Sequence, residues 1–184
     1  NLERVSVSKN EILLEAVTKP EKLLHLTTSD WKNLSCFTNL ESFELNLSVE
    51  NDEKDRIIFS QLPVPRESLS IDFTSRKLMS SAGEEMARYL SKCQSIKCLS
   101  VCINDNLDVK GAKHNTIMIN LTKEISQLKQ LKNLTLINKG TAIDPEKFMN
   151  SLLNLHYLES LRLKYDVKPV NIDLLPGLLS VRRN

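Results

Sequence analysis

One spacing recurs along the chain and constrains everything else. Leu131-Lys132-Asn133-Leu134-Thr135-Leu136 is apolar at its first, fourth and sixth positions, and the same spacing returns at Leu158 to Leu163, Leu40 to Leu45, Ile96 to Val101 and Leu2 to Val7. Looser copies at Glu21 to Leu26, Arg66 to Ile71 and Pro176 to Val181 lack only the first apolar residue. A strand sends successive side chains to opposite faces, so Leu134 and Leu136 face one way while Asn133, Thr135 and Ile137 face the other. No such strand buries its apolar side alone. Copies stacked edge to edge share one parallel sheet and one core, so a repeat architecture is the first expectation.

The middle apolar residues are Val5, Leu24, Phe43, Leu69, Leu99, Leu134, Leu161 and Leu179, at uneven intervals. The segments between them supply the other wall of the core. Asn10 is a candidate cap for a short helix carrying Ile12, Leu13, Ala16 and Val17, which Pro20 ends. Trp31, Leu34 and Phe37 line the next return, and Phe59 and Leu62 the one after, closed by Pro63 and Pro65. Between them, residues 50–56 are charged and have no apolar anchor, which predicts a solvated loop. Ser81 and Glu84 have capping-box spacing at the head of a helix that puts Ala82, Met86, Leu90 and Cys93 on one face. After a loop predicted at Asn104 to Asn115, Met118, Leu121, Ile125 and Leu128 repeat that face. Asp144-Pro145 then opens a helix with Phe148, Leu152 and Leu155 inside.

The stretch from Ala82 to Val101 has a Gly-Ala-like helix start, an Ala and a Leu toward the core, and a Cys before the next strand. In this it resembles the ribonuclease-inhibitor type of leucine-rich repeat. Asn104, three residues past Val101, matches the Asn of that repeat, and Asn10 and Asn184 have the same offset in their copies. The other copies hold Ser29, Ser48, Thr74, Lys139 or Asp166 there, so the match is partial. The resemblance implies an α/β leucine-rich-repeat solenoid, a horseshoe with a parallel concave sheet and convex helices. Residues 1–184 would form a single domain with irregular repeat lengths. The pattern is under way at Leu2 and still running at Val181, which predicts a piece of a longer protein.

Catalytic signals are missing. Only four Gly are present, none in a phosphate-cradling loop, and His25, His114 and His156 lie far apart without zinc-peptidase spacing. Cys93, Cys98 and Cys102 crowd together, but their spacing is not the paired Cys-x-x-Cys of common zinc modules. The expectation is a non-enzymatic chain without metal or cofactor. Four cysteines that make no disulfide framework predict a cytoplasmic location. Four Asn-x-Ser/Thr triplets, at Asn33, Asn46, Asn120 and Asn133, are a weak signal in the opposite direction. A net charge of +2 gives no reason to expect nucleic acid or an anionic membrane as partner.

What remains is a surface. The outward strand positions give a central column of Ser6, His25, Glu44, Ser70, Ser100, Thr135, Arg162 and Ser180. Arg4, Ser42, Asn46, Asp72, Cys102, Asn133, Lys164 and Arg182 flank it. The candidate partner-binding residues are His25, Glu44, Asn46, Asp72, Asn133, Thr135, Arg162, Lys164, Tyr165 and Arg182, with positive charge gathering toward Arg182 and Arg183. The expected role is recognition of a protein partner, or of other domains of the same parent chain, through this face or the flanking loops. The repeat style is similar to that of the carboxy-terminal sensing region of cytosolic nucleotide-binding innate immune receptors (NLRs). There it senses ligands and helps hold the receptor inactive. Two alternatives use similar repeats: a GTPase-activating domain of the Ran-activator kind, and the substrate-receptor part of a ubiquitin ligase. The first calls for regular repeats and an acidic tail, and the second for an adaptor-binding motif, none of which this chain shows.

Overall fold

Ahead of each strand from the second onward, two successive backbone amides fork onto one carbonyl of the preceding rung. Leu24 and His25 donate to the Glu3 carbonyl, both at 3.0 Å, and Glu41 and Ser42 donate to that of Leu24 at 2.8 and 3.0 Å. The fork recurs from Glu67 and Ser68 to Glu41, from Lys97 and Cys98 to Glu67, from Lys132 and Asn133 to Lys97, and from Glu159 and Ser160 to Lys132. Each fork pins the start of one strand to the start of the last, so register is set before the ladder begins.

The computed structural model describes residues 3–7, 19–29, 34–49, 59–75, 80–105, 120–139 and 145–165. Its strands are β1 (Arg4–Val7), β2 (His25–Thr28), β3 (Ser42–Val49), β4 (Ser68–Ser75), β5 (Cys98–Asp105), β6 (Asn133–Lys139) and β7 (Ser160–Tyr165). They form one open sheet in sequence order, every neighbouring pair parallel. The expected α/β class with a parallel sheet is present.

Register aligns Val5, Leu26, Phe43, Leu69, Leu99, Leu134 and Leu161 in one inward row. The row is fully buried from Leu26 to Leu134 and partly buried at Val5 and Leu161. A second buried row runs through Thr28, Leu45, Ile71, Val101 and Leu136. The second copy of the repeat therefore differs from the expectation by two residues. Leu26, not Leu24, is its middle member, Leu23 is its buried first residue, and Thr28 fills the inward sixth position. The pair Leu24 and Leu26 imitates the end of the hexad, whereas Thr28 breaks its apolar pattern. The observed intervals are 21, 17, 26, 30, 35 and 27 residues.

The returns pack on the inward face and complete a single apolar cluster with the strand rows. Short 3-10 turns precede β2, β3 and β4: Pro20–Lys22, Leu34–Cys36 and Phe59–Gln61. Pro20 opens its turn, which suits a residue with no N–H to donate. Helices precede the later strands: α1 (Ser80–Leu90), α2 (residues 120–125) and α3 (Pro145–Leu152). α1 begins one residue before the predicted cap at Ser81, and α3 begins at Pro145 as its Asp-Pro signal predicts.

The three helical returns bury residues at identical offsets from the strand that follows: Met86, Leu90 and Cys93; Leu121, Ile125 and Leu128; Phe148, Leu152 and Leu155. One stripe of a helix at spacings of four and three is what the sheet's back needs. β5 runs to Asp105 and so takes in the first residues of the loop expected from Asn104. The candidate helix from Asn10, Trp31, Ala82's side chain, Met118, the 50–56 loop and the eighth copy at Pro176 to Val181 lie outside the described residues and side chains.

Candidate functional site

Alternation along seven registered strands leaves one face of the sheet lined by small polar side chains. Its central column is Ser6, Thr27, Glu44, Ser70, Ser100, Thr135 and Arg162. All are half-buried or exposed. The two-residue slip in β2 moves His25 out of this column and puts Thr27 in its place. His25 stays on the same face, because a shift of two preserves the parity of a strand. It begins β2, in register with Arg4 and Ser42. The same slip sets Ser29 outside the column of Ser48, Thr74 and Asn104.

Toward the strand ends, Asn46, Asp72, Cys102, Ile137 and Lys164 form a second outward column. Asn133 lies in the strand-start column between Cys98 and Ser160. Eight of the ten candidate residues, His25, Glu44, Asn46, Asp72, Asn133, Thr135, Arg162 and Lys164, thus share one face. Tyr165 pairs with Asn138, in the row of Leu161 and Leu163 and not in that of Arg162 and Lys164. Arg182 lies outside the described residues. Thr27, Ser68 and Ser160 are face positions absent from the candidate set, and the register alone reveals them.

The charges of this region fall into two groups with different fates. Along the lip where strands begin, two lysines are each matched with a glutamate of the neighbouring rung. Lys97 Nζ donates to Glu67 Oε1 at 2.8 Å, Lys132 Nζ to Glu159 Oε1 at 2.9 Å, and His25 Nε2 lies 4.0 Å from Glu41 Oε2. The hydrogen bond from Lys97, aided by its charge, holds the Glu67 carboxyl below the usual glutamate range, and the same bond raises Lys97.

On the face itself Glu44 has neutral hydrogen-bond partners. Glu44 accepts from Thr27 Oγ1 at 3.3 Å through Oε2 and from Asn46 Nδ2 at 3.2 Å through Oε1. Among the described residues no cation pairs with Glu44, and no carboxylate pairs with Arg162 or Lys164, both exposed.

The described partners of Cys93 and Cys98 include no base. Cys98 accepts a hydrogen bond from Asn133 Nδ2 at 3.3 Å, which is not a base. Cys93 is fully buried and donates to the Tyr89 carbonyl, and burial pushes its thiol up to about 12. A thiol that stays protonated is a poor nucleophile. Among the described residues no three His, Cys, Asp or Glu gather to hold a metal ion, and no helix is long and apolar enough to cross a membrane. His156 is exposed in the turn before β7, and His114 lies outside the described residues.

The arrangement can do one thing well: offer a broad, pre-formed polar floor with a few undirected charges. Compared with known proteins, the chain matches no family model and no curated sequence, so the reading of this floor rests on its own residues.

Proposed function

We propose that this chain is a leucine-rich-repeat solenoid of the ribonuclease-inhibitor style, a horseshoe with the sheet on its concave side. In this reading it recognises a protein partner through the sheet and performs no catalysis. The carrying observation is the open face. All-parallel sheets are ordinarily covered on both sides; here one side packs against the returns and the other presents exposed or half-exposed Ser, Thr and Asn among the described residues. Solenoids are the architecture that leaves such a face for partners. In its narrower form, the proposal is the ligand-sensing or autoinhibitory region of a cytosolic nucleotide-binding innate immune receptor. Free cysteines at all four positions support a reducing compartment.

The test blocks the middle of the face. Ser100 and Thr135 are cross-strand neighbours, so Ser100→Arg with Thr135→Arg places two large cations on the floor without touching the core. Partners crosslinked to the wild-type chain in cell extract are identified by mass spectrometry and recounted with the variant. Loss of a specific partner, with an unchanged circular dichroism spectrum, is the expected result. Equal recovery by both chains would move recognition off the sheet.

A further inference from the structure

One residue on the face breaks its pattern. The outward positions of the seven strands hold Ser, Thr, Asn, Cys, His or a charge, with a single aliphatic exception, Ile137 on β6. Parity turns it outward between Thr135 and Lys139, while Leu134 and Leu136 go to the core. It is half-buried. Thr135, two residues earlier, is the β-branched polar residue that strand propensity alone accepts on such a face. Register gives Ile137 two lateral neighbours, Cys102 on β5 and Lys164 on β7. The same register sets Arg162 beside Thr135, one diagonal step from Ile137.

Strand geometry gives this layout a scale. Adjacent strands lie about 4.8 Å apart, and alternate residues of one strand about 6.7 Å apart. Backbone to backbone, Lys164 is therefore about 5 Å from Ile137, Lys139 about 7 Å toward the strand ends, and Arg162 about 8 Å back toward the strand starts. No outward position of β5, β6 or β7 is a carboxylate. The nearest outward carboxylate on the described strands, Asp72, registers with Cys102 and so lies two rungs from Ile137. An apolar centre with a charged rim is how a protein-binding patch is built. A bare anion would use the cations and leave Ile137 wet. An apolar segment would cover Ile137 and leave the cations unmatched. A segment with both kinds of side chain uses all of them. Alternate residues of an extended segment have the same spacing of about 6.7 Å. An order of acid, any, aliphatic, any, acid then sets the aliphatic side chain on Ile137, with one carboxylate toward Lys139 and Lys164 and the other toward Arg162.

We propose, building on the recognition reading, that Ile137 is the anchor of a peptide-binding subsite on the face. Its ligand is an acidic segment of a partner protein, with one aliphatic side chain between two carboxylates at alternate positions. Ile137 selects the apolar residue, and Arg162 and Lys164 select the charge that flanks it.

The probe is the peptide Gly-Ser-Glu-Ser-Leu-Ser-Glu-Ser-Gly, with two controls: one has Ser in place of Leu, and the other has Lys in place of both Glu. Each is titrated into the isotope-labelled chain at low salt and followed by amide chemical shifts. The probe is expected to move amides of β5, β6 and β7 around Ile137. It should bind roughly fivefold more tightly than the serine control, the effect of partly burying one leucine, and the lysine control should not bind. Ile137→Thr, which keeps the β-branch, should level the leucine and serine peptides. Arg162→Glu with Lys164→Glu, both at exposed positions, should transfer binding to the lysine peptide; should Ile137→Thr fold poorly, this variant decides alone. Equal affinity of the wild-type chain for the leucine and serine peptides would reduce the subsite to unspecific charge and overturn the proposal. So would no binding of the probe, shifts centred on other strands, or a charge preference indifferent to the Arg162 and Lys164 exchange. Partner capture separates this failure from that of the recognition reading. If the probe does not bind but capture is lost with Ser100→Arg and Thr135→Arg, recognition stays with the face; if capture persists there too, both readings fall.

Discussion

The halves of the molecule on either side of the β4–β5 boundary build the same sheet by different means. In the first half the described segments ahead of β2, β3 and β4 hold three-residue 3-10 turns, and the strand rows are 17 to 26 residues apart. In the second, helices precede the strands and the rows are 27 to 35 residues apart. The sheet does not register the difference. The fork of amides onto the previous carbonyl is the same in both halves, and the residue six before the middle of the strand is buried as Phe37, Pro63, Cys93, Leu128 and Leu155 alike. Length varies on the back of the sheet, upstream of a fixed entry point, and the face keeps its geometry. This is how a repeat protein tolerates insertion without losing its binding surface. The seam between the halves is then the place to test whether they fold as one unit.

Three of the contacts that cross that seam differ in size. The largest is the inward pair Leu69 and Leu99, 1% and 2% exposed, at matched positions of β4 and β5. Leu99→Ala removes the shared side chain and leaves a cavity between the two halves. A loss of about 2–5 kcal/mol is expected in urea unfolding. If the halves are one cooperative unit, the transition stays single and shifts. A split into two transitions would show the seam to be a true boundary.

Next is the clasp made by Tyr89. This α1 residue is fully buried, tilts against Phe59 with ring centroids 6.1 Å apart, and donates its hydroxyl to the carbonyl of buried Pro63 in the last 3-10 return. Tyr89→Phe keeps the packing and orphans the carbonyl, for an expected loss of about 1–3 kcal/mol. Alkali tests the same spot without mutation. Burial raises both Tyr89 and Cys93, the latter to about 12. A group whose pKa is raised on folding contributes stability that is complete below its unfolded value and lost as pH climbs toward the folded one. Stability should therefore decline from about pH 9 upward, the ordinary thiol range. A thiol reagent at neutral pH should modify exposed Cys36 at once and Cys93 only on unfolding. Flat stability through pH 11 would show that neither group is buried in solution as it is here.

The two halves also differed in how readily they could be read. Helical returns announce themselves, because Met86, Leu90 and Cys93, or Phe148, Leu152 and Leu155, repeat at a period only a helix uses. The 3-10 returns have no such period, and in β2 a polar Thr28 at an inward position drew the register two residues early. The face survived that slip because parity is insensitive to a shift of two, so Glu44, Asp72, Arg162 and Lys164 were identifiable while the column of His25 was not. Tyr165, an odd number of residues from Arg162 and Lys164, has the opposite parity and registers with Asn138. Partnering was not legible at all. That Lys97 is matched with Glu67 while Lys164 has no described carboxylate depends on which rungs are neighbours, which spacing along a chain does not record.

The smallest crossing is the ion pair of Lys97 and Glu67, which joins the strand-start lip of β5 to that of β4. Both side chains are about half exposed, at 48% and 54%, so water and salt screen most of the attraction. Lys97→Met, which keeps the aliphatic stem, should shift the melting midpoint by no more than about a degree or two. The pH signature is more telling than the size. Glu67 is lowered by its bond to Lys97, so its contribution is present above the ordinary glutamate range and disappears as pH falls through the depressed value. Lys97 is raised by the same bond, so its contribution is present below the ordinary lysine range and disappears as pH rises through the elevated one. The difference between wild type and Lys97→Met should accordingly form a plateau across neutral pH, vanish at both extremes and shrink in 1 M salt. A difference that persisted in high salt would mean that Lys97 holds the seam through its stem and not its charge. The lip would then belong with the apolar contacts that join the halves.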